Sequence, residues 1–178
     1  GSDVSALRGG FWRALRHRVA ARLDCIVAGS VPLRAQLADE GGPPEKTAVI
    51  PMGADLSGLF TPVESPARSQ EEILFVGRLV REKGADILLE AMPRILAQRP
   101  EATLTLIGDG PEKVSLHDTA RGLGLADRVR FAGAQPQAFL PEHYRRAALL
   151  VLPSRREGFG LVLVEALGCG CPVVAADL

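Results

Sequence analysis

The chain has 178 residues, of which 47% are hydrophobic and 24% are charged, and its 21 Lys and Arg residues balance 21 Asp and Glu residues. This length suits one domain, or one domain with part of another, and the composition is that of a globular protein and excludes general disorder. A net charge of zero gives no support for nucleic-acid binding through phosphate neutralisation, so no nucleic-acid partner is expected.

The first 36 residues carry an excess of basic residues, six Arg against two Asp. Five apolar residues recur among them near helical spacing: Phe11, Trp12, Leu15, Val19 and Leu23. This pattern predicts a surface helix whose apolar side packs against a core. The alternative is a basic amphipathic helix that touches an anionic membrane surface.

Two short strands are predicted next, at Asp24–Ala28 and Thr47–Ile50, with a helix near 31–40 between them. These elements are too few to form a core of their own, so we assign them to a different domain from the rest of the chain. The stretch 56–70 is rich in Ser, Gly and Pro and is interpreted as a linker.

Apolar runs without alternation stand out after residue 70, and each is expected to be a strand buried on both faces. They are Ile73–Val76, Thr103–Ile107, Val129–Ala132, Leu149–Leu152 and Val173–Ala176. Helical patterns lie between them, at about 83–98, 112–123, 141–147 and 160–170. This alternation predicts right-handed βαβ units in a Rossmann-like parallel sheet, whose ligands sit at the carboxyl ends of the strands.

Leu178 follows the last predicted strand directly, and an uncovered strand is an exposed sheet edge that favours pairing of two chains. We therefore expect a chain cut at both ends, and its oligomeric state stays open.

Cys25, Cys169 and Cys171 are interpreted as small buried residues of a reducing cytosol, because their odd number and spacing suit neither a disulfide scaffold nor a metal pair.

Other polar features are weaker. Gly108-Asp109-Gly110-Pro111 resembles a dinucleotide fingerprint, but Lys113 stands where the third glycine is required, so we interpret it as a turn. Three histidines have no obvious catalytic partner and are expected to be structural or exposed: His17, His117 and His143.

A basic cluster of Arg78, Arg81 and Lys83 follows the first strand of the sheet and opens the next helix. Helix N-termini carry partial positive charge, so cations there are unfavourable, and Glu82 offsets only part of this. An anionic ligand such as a diphosphate would resolve the conflict. The alternative is three solvated cations, but the position at the carboxyl end of a strand favours the ligand.

A second polar cluster, residues 153–160, precedes an almost wholly apolar helix that we expect to be buried. Gly158 and Gly160 let the backbone approach a ligand closely. Glu165 is the one charged residue of that helix, and a buried carboxylate needs hydrogen-bond donors. Sugar hydroxyls are suitable donors, and the alternative is a salt bridge to a nearby arginine.

Taken together, these segments resemble glycosyltransferase family 4, which comprises retaining enzymes of the GT-B fold, from about residue 20 to the end of the chain. The family's two glutamates separated by seven residues appear as Glu157 and Glu165. The other matching segments are Gly77-Arg78 with Lys83-Gly84 for its glycine–arginine–lysine motif, 49–55 for the crossing between its two domains, and 128–133 for a strand with a base-side loop.

The resemblance implies an α/β fold with a Rossmann-like parallel sheet and flanking helices. Residues 1–56 would be the end of the N-terminal acceptor domain and the interdomain crossing. Residues 57–178 would be the nucleotide-sugar-binding domain, truncated at its C-terminus.

The resemblance also implies a role for each matching residue. Arg78 and Lys83 would bind the donor diphosphate and stabilise it as leaving group, and Glu157 would hydrogen-bond the donor sugar; these three form the expected catalytic set. Glu165 would hold the ribose hydroxyls. The remaining donor-binding positions are Ala134 in the base-side loop and Gly158, Phe159, Gly160 and Leu161, whose backbone N–H groups would line the pocket.

The implied function is transfer of a hexose from a nucleoside-diphosphate sugar, based on UDP or GDP, to a carbohydrate or lipid acceptor with retention of configuration. This places the protein in polysaccharide or glycolipid biosynthesis in the cytoplasm, where peripheral contact with the inner face of the membrane is one option. No cofactor and no essential metal are expected. The base, the sugar and the acceptor stay open.

Departures from the family limit this expectation. Met52 stands where an asparagine is usual, and most of the N-terminal domain and the closing elements of the C-terminal domain are missing. We therefore expect little or no transferase activity from the chain alone. One alternative is a non-catalytic nucleotide-binding module, which would need no sugar contacts from Glu157 and Glu165. Another is a sugar-nucleotide epimerase of the same fold, which would need its own histidine and carboxylate set.

Overall fold

The structure is a computed structural model that describes residues 10–64 and 68–178. The chain divides into two compact units, one ending at Gly53 and one running from Ala54 to Leu178. Among the helices of these described ranges, none is long and apolar enough to cross a bilayer.

The first unit contains two helices and a two-stranded parallel sheet. Its elements are α1 (Gly10–Ala21), β1 (Ile26–Ala28), α2 (Val31–Asp39), a 3-10 turn (Pro44–Lys46) and β2 (Thr47–Val49). Ser30 caps α2, because its hydroxyl accepts a hydrogen bond from the Leu33 backbone N–H at 3.3 Å. The predicted strands and the second helix are confirmed with shorter bounds.

The predicted packing of the first helix is not observed. Leu15 and Val19 of α1 are 42% and 51% exposed, and among its described side chains only Ala20 is buried. Other apolar side chains of this unit are exposed as well, among them Val27, Val31 and Ile50, and α2 buries no residue. Residues 1–9 and the side chains of Phe11 and Trp12 lie outside the described part of the chain.

The second unit is a five-stranded parallel sheet with the strand order β5-β4-β3-β6-β7. Its strands are β3 (Glu72–Val76), β4 (Thr103–Ile107), β5 (Val129–Gly133), β6 (Leu149–Leu152) and β7 (Val173–Ala175). Its helices are α3 (Ala85–Gln98), α4 (Lys113–Gly122), α5 (Leu140–Arg146) and α6 (Leu161–Gly168), with 3-10 turns at Arg81–Lys83 and Gln137–Phe139. The predicted Rossmann-like sheet and its flanking helices are therefore confirmed.

Alternation along the central strand divides the core into two layers. Ile73 and Phe75 of β3 pack with α3 and α4 on one face, whereas Leu74 and Val76 pack with α5 and α6 on the other. Every residue of β3 is buried as a result. The prediction that all five strands are buried on both faces is wrong for β5 and β7, because both are edge strands, and Val174 in β7 is 55% exposed.

The helix α6 is also less buried than its apolar sequence predicts. Only Glu165 and Ala166 are buried, while Leu167 is 58% exposed. One side of α6 packs on the sheet, and the described residues leave the opposite side uncovered. Burial of Cys169 and Cys171 is confirmed, whereas Cys25 is exposed, contrary to prediction.

The stretch interpreted as a linker contributes to the core. Phe60 is fully buried, and its ring lies 6.1 Å from that of Tyr144 in a tilted arrangement. Arg145 anchors the same stretch by donating from Nε to the Thr61 carbonyl oxygen at 2.9 Å. Burial of the Phe60 ring removes a large apolar area from water, and this stabilisation outweighs the polar composition of the surrounding stretch.

At the amino end of the sheet, a buried carboxylate holds several elements together. Glu72, the first residue of β3, accepts hydrogen bonds from Arg146 at 3.0 and 3.2 Å and from the Thr105 hydroxyl at 2.8 Å. Burial acts to raise the pKa of Glu72, but the bonds from Arg146 and Thr105 outweigh it, so the pKa lies below its ordinary value.

We expect Phe60→Ala to lower the free energy of unfolding by about 3–5 kcal/mol, because it empties a fully buried aromatic site. Chemical denaturation followed by circular dichroism measures this change. Phe139 lies in the same unit and is 58% exposed, so Phe139→Ala should change the same free energy by no more than about 0.5 kcal/mol. Equal losses in the two variants would contradict the assignment of Phe60 to the core.

We expect Glu72 to make the stability of the chain pH-dependent. Because its pKa is lowered on folding, its contribution is fully present above the ordinary value of 4.5 and is lost as the pH falls through the lower folded-state pKa. Glu72→Gln should cost about 1–3 kcal/mol at neutral pH and flatten the acid limb of the stability curve. Urea unfolding across this pH range measures both effects, and an unchanged acid limb would contradict the prediction.

Candidate functional site

The strand order creates a crevice beside the central strand. From β3 the chain moves outward to β4 and β5, and then returns to place β6 on the other side of β3. The loops after β3 and β6 therefore lead in opposite directions, and ligands of open parallel sheets bind between such loops. These are residues 77–84 and 153–160, the two polar clusters that the sequence singled out.

An ion pair joins these two loops. Lys83 Nζ lies 2.6 Å from Glu157 Oε2, and the two side chains are only 22% and 19% exposed. The structure thus brings together two of the three residues predicted to be catalytic. A partly buried pair at this position is worth more than a surface pair, because solvent screens it less.

Glu157 is held by further donors. The Ser154 hydroxyl donates to Oε2 at 3.2 Å, and the Gly158 backbone N–H donates to Oε1 at 3.0 Å. Burial acts to raise the pKa of Glu157, but the hydrogen bond and charge of Lys83 outweigh it, so the pKa lies below its ordinary value. Glu157 is therefore ionised at neutral pH and acts as a hydrogen-bond acceptor, not as a proton donor.

Arg155 fastens one loop to the other through a separate set of contacts. Its guanidinium binds both carboxylate oxygens of Asp86 at 2.7 and 2.8 Å and the Arg81 carbonyl oxygen at 2.9 Å. Its backbone N–H donates to the Glu82 carbonyl oxygen at 2.8 Å. These contacts fix the position of Lys83, since they hold Arg81 and Glu82 before it and Asp86 after it.

Glycine allows this close approach of the two loops. Gly84 has a φ of +71°, and a side chain there would overlap the backbone carbonyl of Pro153. The left-handed conformation of Gly84 also separates the 3-10 turn from α3, which begins at Ala85.

This break corrects the prediction that the basic cluster opens a helix. Arg81 and Lys83 lie in the 3-10 turn before α3, and Asp86 is the charged residue in the first turn of the helix. The cations therefore precede α3 and do not form its first turn. Arg78 is exposed in the loop after β3 and has no ion-pair partner among residues 10–64 and 68–178.

The predicted backbone contacts lie at the start of α6. Gly160 occupies the N-cap position in a left-handed conformation (φ +74°), and no side chain caps the helix. The Gly158 N–H donates to Glu157, and the backbone N–H groups of Phe159, Gly160 and Leu161 follow it at this helix start. Phe159 is 41% exposed at the same place.

Among the described residues, Glu165 does not form the salt bridge to an arginine that the sequence offered as one of two alternatives. It is 4% exposed, and instead of an arginine it has two neutral donors within the protein. The Tyr144 hydroxyl donates to Oε2 at 2.8 Å, and the Gln137 side-chain amide donates to Oε1 at 3.0 Å. Burial, followed by the charge of Glu165, raises the pKa of Tyr144 far above its ordinary value, so the phenol stays protonated.

The loop after β5 reaches the same region. Ala134 is exposed directly after this strand, and Gln137, three residues later, carries the contact to Glu165. Sequence reasoning gave no role to Tyr144, Gln137, Ser154, Arg155 or Asp86. The available signal was that Ser154 and Arg155 lie inside the polar cluster of residues 153–160 and that Tyr144 is the only tyrosine in the chain.

The remaining polar candidates make contacts within the protein. Residues 108–110 form an irregular loop after β4, and the turn begins at Pro111, so the predicted turn is displaced toward α4. The Asp109 carbonyl oxygen accepts from the Leu79 backbone N–H at 2.9 Å. His117 stacks on Phe131 with ring centroids 3.7 Å apart, and His17 contacts the Gly41 carbonyl oxygen at 3.0 Å. Within the described ranges, no group of three His, Cys, Asp or Glu side chains is arranged to hold a metal ion.

Known proteins share both the sequence and the fold. Residues 61–178 match the family described as glycosyl transferases group 1. A D-inositol 3-phosphate glycosyltransferase of Segniliparus rotundus is 41% identical over 147 residues, which cover 76% of the chain and 32% of the relative. One of Geodermatophilus obscurus is 40% identical over 178 residues, covering 90% and 39%. The chain thus spans well under half the length of these curated relatives.

The solved structure of Anabaena HepE in complex with UDP and glucose has a TM-score of 0.78 to the chain at 29% identity, over 93% of the chain and 48% of that protein. The resemblance to GT-B glycosyltransferases that the sequence suggested is confirmed by this likeness. The parallel sheet, the two loops at its switch point and the family match all agree: the chain belongs to the glycosyl transferases group 1 family.

Proposed function

We propose that the chain forms the donor-binding part of a glycosyltransferase that transfers a hexose from a nucleoside-diphosphate sugar to an acceptor with retention of configuration. The observation that carries this proposal is the Lys83–Glu157 pair, held between the two loops at the switch point of the sheet. A cation and an ionised carboxylate side by side suit a ligand that presents a diphosphate next to sugar hydroxyls.

Each member of the pair would contact a different part of the donor. Cleavage of the bond between sugar and diphosphate develops negative charge on the diphosphate, which Lys83 and the exposed Arg78 would stabilise. Lys83 has three N–H donors and gives one to Glu157, so others stay available. Glu157 would accept hydrogen bonds from the sugar, and Glu165 would accept them from the ribose.

The backbone completes the proposed pocket. The N–H groups from Gly158 to Leu161, at an uncapped helix start, would bind sugar and phosphate oxygens, and the loop at Ala134 would meet the base. Retention of configuration and a mechanism without an essential metal belong to the proposal through the resemblance of the two-glutamate motif to retaining enzymes.

The names of the relatives suggest which substrates to test first. The similar proteins include D-inositol 3-phosphate glycosyltransferases, a GDP-mannose-dependent mannosyltransferase of Mycolicibacterium smegmatis at 30% identity, and structures that contain UDP. Uridine and guanosine nucleotides are therefore the first donors to compare, and an inositol phosphate is the first acceptor. We include peripheral contact with an anionic membrane through α1, whose Leu15 and Val19 are exposed.

We expect the chain to bind one of UDP, GDP and ADP selectively, measured by isothermal titration calorimetry. Lys83→Ala and Glu165→Ala should each weaken that binding by roughly one to two orders of magnitude, because each removes a charged hydrogen-bond partner of the ligand. Arg121→Ala is the control, since Arg121 pairs with Asp118 on the exposed surface of α4. A folded chain that binds none of the three nucleotides would refute the donor site.

We expect Arg155→Lys to weaken the same binding several-fold, because lysine cannot bind Asp86 through two parallel hydrogen bonds and the turn that carries Lys83 loses its support. Arg156→Lys is the matched control: the neighbouring arginine is exposed and uses only its backbone N–H toward Glu82. Isothermal titration calorimetry of the two variants compares their nucleotide affinities. Equal affinities would show that Arg155 does not support the site.

A further inference from the structure

The chain contains a single tyrosine, and its hydroxyl group lies in the core. Tyr144 is fully buried, and its ring packs against Phe60 and the apolar residues around it. A phenylalanine would fill the same space without requiring a hydrogen-bond partner. The hydroxyl has one partner in the described structure, Glu165 Oε2 at 2.8 Å. Its effect is therefore to fix the orientation of that carboxylate.

The two oxygens of Glu165 face different surroundings. Oε2 accepts from the buried Tyr144, whereas Oε1 accepts from Gln137, a residue of the exposed 3-10 turn after β5. A ligand arriving from solvent can replace an exposed amide, but it cannot replace a buried phenol without opening the core. Each carboxylate oxygen can accept two hydrogen bonds, so Oε1 can take a ligand hydroxyl while Oε2 stays anchored.

The Tyr144 hydroxyl that anchors Glu165 Oε2 is also uncharged. Because the Tyr144 phenol keeps its proton, it donates to Glu165 without placing a positive charge beside the carboxylate. An arginine in its place would form an ion pair and reduce the strength with which Glu165 accepts further hydrogen bonds. A neutral buried donor leaves an oriented acceptor for hydroxyl groups.

We propose that Tyr144 is a positioning residue for nucleotide binding: it fixes Glu165 through Oε2, so that Oε1, the oxygen that Gln137 contacts, accepts a hydrogen bond from the ribose diol of a nucleoside diphosphate. This inference rests on the proposed function, in which Glu165 binds the ribose. It adds that the recognition of the diol depends on a hydroxyl that never touches the ligand.

The test compares two ligands on two proteins. Calorimetry measures the affinity of the chain and of Tyr144→Phe for the preferred nucleoside diphosphate and for its 2′,3′-dideoxy analogue. We expect the unmodified chain to prefer the ribonucleotide about tenfold, and Tyr144→Phe to lose most of that preference while its affinity for the dideoxy analogue is unchanged. A purely structural tyrosine would weaken the binding of both ligands equally.

Gln137→Ala is the control on the other oxygen. Since the ligand replaces this amide, the variant should keep its preference for the diol, and loss of the preference would overturn the role given to Oε1.

A second measurement needs no mutation: biosynthetic 3-fluorotyrosine labels only Tyr144, because the chain has one tyrosine. Its ¹⁹F signal should shift with the ribonucleotide and stay in place with the dideoxy analogue.

The outcomes separate this inference from the function on which it rests. If the chain binds the nucleotide and prefers the diol, but Tyr144→Phe keeps that preference, the inference alone is overturned. If the chain binds no nucleotide, or binds both ligands equally, the donor site or its Glu165 contact is wrong, and the inference is overturned with it. Should Tyr144→Phe fail to fold, the ¹⁹F signal decides, and identical responses to both ligands would overturn the proposal.

Discussion

The site depends on one contact, the ion pair that Lys83 and Glu157 form across two loops. Each loop follows a different strand, and only the return of the chain to the side of β3 makes them neighbours. The pair must be partly shielded from water, because charges that are fully solvated attract each other weakly. The packing of Gly84 against Pro153 and the binding of Arg155 to Asp86 serve this end.

The carboxylates of the motif differ in how they are stabilised. Glu157 is balanced by a cation and has a lowered pKa, whereas the described donors to Glu165 are the neutral groups of Gln137 and Tyr144. In the proposed function, the first would lie beside a diphosphate that shares its cation. The second would meet uncharged hydroxyls, since both of its described donors are neutral. The same residue type would then serve two parts of one ligand.

The sequence predicted the parallel sheet well because the signal for it is local. The runs at Thr103–Ile107 and Leu149–Leu152 are apolar, short and bounded by turn residues, and the structure forms strands with those bounds. The exposure of β7 was not predicted, because an apolar run does not reveal whether it lies at the centre or the edge of a sheet. The burial of Phe60 was missed because one residue carries it in a polar stretch.

The ion pair of the site was predictable from the positions of its motifs after two parallel strands. Lys83 and Glu157 are 74 residues apart, and their positions after two strands of a parallel sheet place them at the same sheet edge. The partners of Glu165 were not predictable, because Tyr144 lies on a different helix and the sequence gives no rotation for that helix. An arginine was one of the two alternatives that the sequence suggested, whereas the packing supplies a phenol and an amide.

The helix α5 shows how a short element can be held rigidly. Three consecutive residues point to three different partners: Tyr144 to Glu165, Arg145 to Thr61, and Arg146 to Glu72 at the far end of β3. Because these bonds leave the helix in different directions, no single axial rotation preserves all of them. The Tyr144 hydroxyl that contacts Glu165 is thus carried by a helix held at three points, and a carboxylate oriented by such a support would lose little further entropy when a ligand binds to it.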